Sequence, residues 1–264
     1  MRLELTVQGL LIYAALSAYL GAFIALLARS AATGRRLYVA GFGLALAAFI
    51  YRWQDVQHVP LQSMFEVFLC LGMLAYPLSV LYRRAFGIGG DAADVLVGFV
   101  LLFAAGFVFP PEQQRLPPPL QSWLFVPHVA AYMLAYVIMF KASTQAAAVL
   151  LAETDGQQER IAQCERATYC AVRLGFPLMT LGLILGALWA NLAWGRYWGW
   201  DPKEALSLAT WLVYLVYLHF RQAYGVRFPR ANAALALCGA IFVVVTLVWV
   251  NLPGSMFPGL HAYA

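Results

Sequence analysis

Charge is what this chain has least of. Asp, Glu, Lys and Arg make up 11% of its 264 residues, against 63% hydrophobic residues. Soluble domains carry about a quarter charged residues, so that class is excluded and a polytopic helical membrane protein is implied. Cysteine is sparse too. Cys70, Cys164, Cys170 and Cys238 form no CxxC, no CxxCH and no zinc spacing, which excludes a c-type cytochrome and a thiol oxidoreductase. Cys70 and Cys238 read as small buried thiols within helices. No apolar segment has the charged start and small-residue cleavage site of a removed signal peptide, so the first is expected to be retained. No basic run interleaves with a recognition motif, and no nucleic-acid partner is expected. Histidines number only four.

What the chain does have is apolar length. A bilayer core of ~30 Å takes about 20 apolar residues per helix. That ruler gives eight spans: 6–27, 37–53, 64–82, 94–109, 123–151, 167–192, 204–220 and 232–251. The expected fold is an all-α integral membrane protein, a single polytopic domain over residues 1–264. Orientation follows from Lys and Arg. Arg29, Arg35, Arg36, Arg83, Arg84, Lys141, Arg160, Arg166, Arg173, Arg221, Arg227 and Arg230 fall in or beside the odd-numbered loops. Only Arg2, Arg52, Arg115, Arg196 and Lys203 fall on the other side. Both termini are expected outside, and the net charge of +5 expresses this bias. Two longer external connections, 54–63 and 110–122, stand out. The second is too proline-rich for helix and is expected to be an extended cover or rim. The polar stretch 153–166 is expected to extend or link the fifth and sixth helices.

The external connection 193–204 is unusual. Trp194, Tyr197, Trp198 and Trp200 crowd four rings into seven positions, with Trp189 upstream, Gly195 and Gly199 between them, and Arg196 alongside. One reading is an interfacial aromatic belt, but a belt spreads its rings over several helix ends. Crowded rings beside cations favour a platform for a large flat anionic ligand such as a porphyrin. If this connection is helical, Trp194, Tyr197 and Trp198 share one face. Asp201-Pro202-Lys203-Glu204 has the form of a capping box with proline at the first helical position. Asp201 and Glu204 can therefore serve simply to start the seventh helix. Ser63-Met64-Phe65-Glu66 repeats that form before the third.

The histidines differ in depth. His58 lies in an external connection and His261 in the C-terminal tail. His128 follows Ser122 by six residues and is expected ~9 Å into the fifth helix; His219 follows Glu204 by fifteen and is expected ~22 Å down the seventh. His128 and His261 can approach the aromatic connection; His219 cannot. A lone histidine near a helix end is ordinarily a solvated side chain. An ionisable group inside a span is costly without a partner or purpose, and neutral imidazole is a good axial iron ligand.

The run Trp-Gly-Arg-Tyr-Trp-Gly-Trp-Asp-Pro-Lys-Glu at 194–204 resembles the tryptophan-rich "WWD" signature of the heme-handling superfamily of cytochrome c biogenesis. Within that superfamily the chain resembles the CcsA (ResC) family, subunits of System II cytochrome c synthases. The likeness runs from Pro117 onward, through Gln121-Ser122-Trp123, His128, Tyr217-Leu218-His219-Phe220-Arg221 and Gly259-Leu260-His261-Ala262-Tyr263. The 117–264 part is thus expected to carry the heme-handling core. The segment from His58 to Glu66 resembles a further family stretch. Ala205-Leu206 departs from the family, which has a small polar residue and then Trp there.

The resemblance implies a function and its parts. Heme b is expected to cross the membrane past His219, a transient iron ligand, and to be held outside by His128 and His261 as axial ligands. Trp194, Tyr197, Trp198 and Trp200 would contact the macrocycle, with Asp201 framing the loop and Arg196 or Lys203 meeting a propionate. The heme would then be attached to the CxxCH motif of an apocytochrome c, making the chain a holocytochrome c synthase subunit acting with a CcsB (ResB) membrane partner and a thiol-reductant pathway. No residue is assigned as a catalytic acid or base. The expected location is a bacterial plasma membrane or a thylakoid-type membrane, with the aromatic loop on the external face. Two alternatives remain at this point: a heme exporter loading a separate chaperone, as in CcmC-like proteins, and a small-solute transporter whose aromatic loop is an outer gate.

Overall fold

The computed structural model describes residues 6–112, 115–152 and 156–248. Among these are eight α-helices, one short 3-10 turn at Pro118–Leu120 and no strand. The helices are α1 (Val7–Leu27), α2 (Ala31–Val56), α3 (Met64–Phe86), α4 (Asp91–Phe107), α5 (Phe125–Leu151), α6 (Gln158–Trp194), α7 (Pro202–Tyr224) and α8 (Pro229–Val248). This is the all-α membrane fold expected from composition. Five of them, α1, α3, α5, α6 and α8, are long and apolar enough to cross a membrane.

Several helices outrun the apolar ruler. The second starts at Ala31 rather than 37, and α6 starts at Gln158 rather than 167, reaching 37 residues. Burial in lipid requires apolar side chains, but the i→i−4 backbone bond does not. Helix therefore continues through polar positions, and much of the polar 153–166 stretch forms the opening turns of α6.

The chain divides into two compact units, residues 1–117 and 118–264. In the first, α1 packs on α2 and α4, and α3 packs on α4 and α2. Tyr19 fills the seam between α1 and α2: a Cβ at Gly41 would lie 2.3 Å from its ring, so only glycine fits there. The same tyrosine donates its hydroxyl to the Gly72 carbonyl at 3.2 Å.

An ion pair closes one end of this unit. Arg52 Nε donates to Glu66 Oε1 at 2.9 Å, and both side chains are almost wholly buried. Arg52 Nη1 and Nη2 donate to the carbonyls of Pro111 and Glu112. Glu66 Oε2 accepts from the backbone N–H of Gln62 and Ser63, completing the capping box that starts α3. At the other end of α3, Asp91 accepts from Arg83 at 2.6 Å and Arg35 at 3.2 Å. Ser79 donates to the buried Asp94 at 2.6 Å.

In the second unit, α5 packs on α6 and α8, while α7 packs on α8 and α6. Buried Glu165 on α6 receives Arg221 of α7 and, at 2.9 Å, the Asn232 amide of α8. Arg221 also lies over the Tyr169 ring. This cluster ties three helices together at the end away from residues 193–204.

Candidate functional site

At the opposite end of the second unit, α5 begins, α6 ends and α7 begins. The connection between α6 and α7 is not helical, contrary to the condition under which three rings would share a face. Gly195 takes φ 73 and stops α6, its N–H donating to the Asn191 carbonyl. A left-handed residue terminates a helix, and glycine adopts that conformation without a Cβ penalty. The rings therefore separate. Trp194 remains on α6 and packs edge-on against Trp189 at 4.9 Å. Trp198 and Trp200 form a second perpendicular pair at 5.8 Å. Tyr197 and Trp200 are exposed, at 58% and 71%.

Trp200 itself has φ 56, a conformation that costs a non-glycine residue of order 1 kcal/mol or more. Glu204 holds it there. Its Oε2 accepts from the N–H groups on either side of Trp200, Gly199 at 2.8 Å and Asp201 at 3.1 Å. Asp201 is buried, and its Oδ1 accepts from Lys203 N–H at 2.9 Å, so the capping box read from the sequence forms at α7. Both acids thus shape the loop. Glu204→Ala is expected to cost about 1 kcal/mol through the lost cap and to free Trp200 from φ 56. Thermal unfolding and the emission spectrum of the exposed indole check the two effects.

Arg196 lies across Gly199, whose Cβ would stand 2.7 Å from the guanidinium Nε. The space over Gly199 is therefore filled by this chain's own cation. Lys203, just ahead of the 204–220 apolar stretch in the first turn of α7, has its ammonium pushed down to about 8 by burial, with the nearby Asp201 opposing the shift.

His128 sits nearer the end of α5 than expected. A turn at 122–124, in which Ser122 accepts from Leu124 and Phe125 N–H, delays the helix start to Phe125. The imidazole is half-buried against α6. Its Nδ1 lies 2.9 Å from the Gly182 carbonyl, which can only accept, so Nδ1 carries a proton. The ring stacks on Trp189 at 6.0 Å with 13° between planes. Trp189 Nε1 in turn donates to the Pro119 carbonyl at 2.9 Å. His128, Trp189 and Trp194 thus form one run of rings.

The remaining candidates lie elsewhere. His219 is exposed on α7 beside the Glu165 end, with Nδ1 2.9 Å from the Leu215 carbonyl, so its Nε2 points away from its own helix backbone. His58 is in the first unit, and its Nε2 is buried with no hydrogen-bond partner among the described residues. His261 lies outside the described residues.

Sequence reading passed over Gly182 and Gly186. Both face α5: Cβ atoms there would stand 2.9 Å from the Tyr132 ring and 2.6 Å from His128 Cε1. Their Gly-Leu-Ile-Leu-Gly spacing is the small-xxx-small signal of close helix packing in membranes, and it was available in the chain.

The pattern of the family described as Cytochrome C assembly protein matches residues 59–257. The chain belongs to the cytochrome c assembly family. It is 32% identical to the cytochrome c biogenesis protein CcsA of Synechococcus sp. (strain CC9605), an alignment covering 92% of this chain and 90% of that one. Similarity to the CcsA of Chlamydomonas reinhardtii is 33%, over 83% of this chain and 65% of the longer relative. In fold the family member resembles the solved structure of Cytochrome c Heme Lyase CcmF, with a TM-score of 0.72 at 20% identity. That match covers 94% of this chain and 48% of CcmF, so this chain spans about half of it.

Proposed function

We propose that this multi-pass membrane protein moves heme b across the membrane and holds it on the external face for attachment to the CxxCH motif of apocytochrome c. His219 receives the heme iron in transit, and His128 and His261 ligate it at the 193–204 loop. A CcsB (ResB) type subunit completes the synthase, and a separate pathway keeps the apocytochrome thiols reduced. The setting is a bacterial plasma membrane or a thylakoid-type membrane. In each attachment an S–H adds across a vinyl C=C: sulfur bonds one carbon, the proton goes to the other, and nothing is oxidised. This chain's part is orientation and control of iron ligation, since the heme brings the reactive vinyl groups.

The observation that carries this reading is the seating of His128. An imidazole whose Nδ1–H is held by a backbone carbonyl is the usual arrangement of a metal-bound histidine. It stacks on Trp189, which meets Trp194 at the start of the 193–204 loop, in a chain of the cytochrome c assembly family. The test is the absorption spectrum of the protein purified in detergent with its co-expressed partner. A Soret band with bis-histidine features supports the reading, and protein without heme overturns it. His219→Ala is expected to reduce heme at the external site several-fold while the protein still inserts; unchanged occupancy would remove His219 from the path.

A further inference from the structure

The imidazole of His128 is seated in a slot on α6 that has no slack. Gly182, Gly186 and Trp189 fall at i, i+4 and i+7 on one face of that helix. Gly182 supplies the carbonyl that receives Nδ1–H. At Gly186 a Cβ would come 2.6 Å from Cε1 and 3.0 Å from Nδ1 of the ring. Trp189, 2% exposed, closes the third side as a near-parallel plate and is itself fixed by the Pro119 carbonyl. Tyr132, one helical turn further along α5, packs edge-on against the imidazole at 5.3 Å and occupies the surface over Gly182. The ring is thus constrained in tautomer, in rotation about its χ angles and in distance from α6.

We infer that Gly186, with Gly182 and Trp189, is a positioning residue for the iron ligand: the α6 slot sets which nitrogen of His128 meets heme iron and the azimuth of its ring. This rests on the assignment of His128 as a ligand. Gly186 acts through His128, by leaving the volume in which the imidazole keeps its bond to Gly182. Partners that orient a ligating histidine in this way are each worth about 10–100-fold in metal affinity. A lock of this kind also makes the site ready before heme arrives, because the ligand rotamer is already chosen.

The experiment compares full-length wild type, His128→Ala, Gly186→Ala and Gly239→Ala, each co-expressed with its partner and purified in detergent. The readouts are ferric absorption, low-temperature EPR and the heme reduction potential. Gly239→Ala is the packing control, since its Cβ would stand 2.5 Å from the Tyr214 ring on α7, a comparable clash with no contact to His128. The expected result is a several-fold rise in high-spin heme and a shifted potential in Gly186→Ala, with added imidazole restoring the low-spin spectrum. Gly239→Ala keeps the wild-type spectrum and potential. If Gly186→Ala also keeps both while His128→Ala loses the low-spin signal, the slot is overturned and the ligand assignment survives. If His128→Ala keeps the wild-type signal, the ligand assignment falls and the slot with it. Should Gly186→Ala fail to accumulate, Trp189→Leu opens the slot without overfilling it. It is expected to give a smaller high-spin fraction that imidazole also reverses; a wild-type spectrum there overturns the slot.

Discussion

The double substitution His128→Ala plus His261→Ala is expected to abolish bis-histidine heme ligation while leaving insertion and helix content intact. For His128 both halves follow from its placement. His128 is one turn into α5, half-buried, with its Nδ1–H donated to the Gly182 carbonyl. Removing the imidazole deletes that bond and one stacked face of Trp189. A neutral hydrogen bond contributes about 1 kcal/mol net, and a stacked aromatic pair about the same. Those losses are too small to unfold a protein with this much buried surface. Heme affinity, by contrast, depends directly on the iron–nitrogen bonds. The Soret and α bands should therefore lose their low-spin character, with circular dichroism unchanged. Low-spin heme persisting in the double variant would transfer the iron to other ligands.

The largest stability effect is expected in the first unit, at Glu66. Arg52 and Glu66 side chains are 3% and 2% exposed; beyond Glu66 the guanidinium meets the Pro111 and Glu112 carbonyls and, at 3.8 Å, the part-exposed Asp55 carboxylate. Glu66→Ala would leave a buried cation with the longer, part-exposed contact to Asp55 in place of its buried ion pair and release the N–H groups of Gln62 and Ser63. Breaking a buried pair from one side costs about 3–5 kcal/mol. The double change Arg52→Met plus Glu66→Leu should recover most of that, because no unpaired charge remains. A thermal melt in detergent distinguishes the two, and equal melting temperatures for wild type and Glu66→Ala would show that the pair contributes nothing.

The sequence made some of this legible and hid the rest for physical reasons. Apolar length locates eight helices because lipid tolerates few polar side chains, and both capping boxes were visible as Ser-x-x-Glu and Asp-x-x-Glu. Helix ends were not visible: α2 and α6 continue through polar residues that an apolar ruler discards. The aromatic loop could be located but not shaped, since its path depends on Gly195 stopping α6 and on Glu204 reaching back to Gly199. Pairing between helices was the least legible. Nothing in periodicity says that Arg52 meets Glu66, that Glu165 gathers Arg221 and Asn232, or that Gly186 faces His128.

Glu204 makes the aromatic loop and α7 a single mechanical part. Its carboxylate grips the loop at Gly199 and Asp201 while its own backbone belongs to the first turn of the helix. A rigid rod transmits rotation along its length without loss. His219, fifteen residues on, sits on the same rod about 22 Å away. Any roll of α7 that swings this imidazole toward or away from a neighbour therefore also turns Trp198 and Trp200 at the far end. On the proposed function, the histidine that receives heme in transit and the loop that holds it afterwards are carried by this one helix.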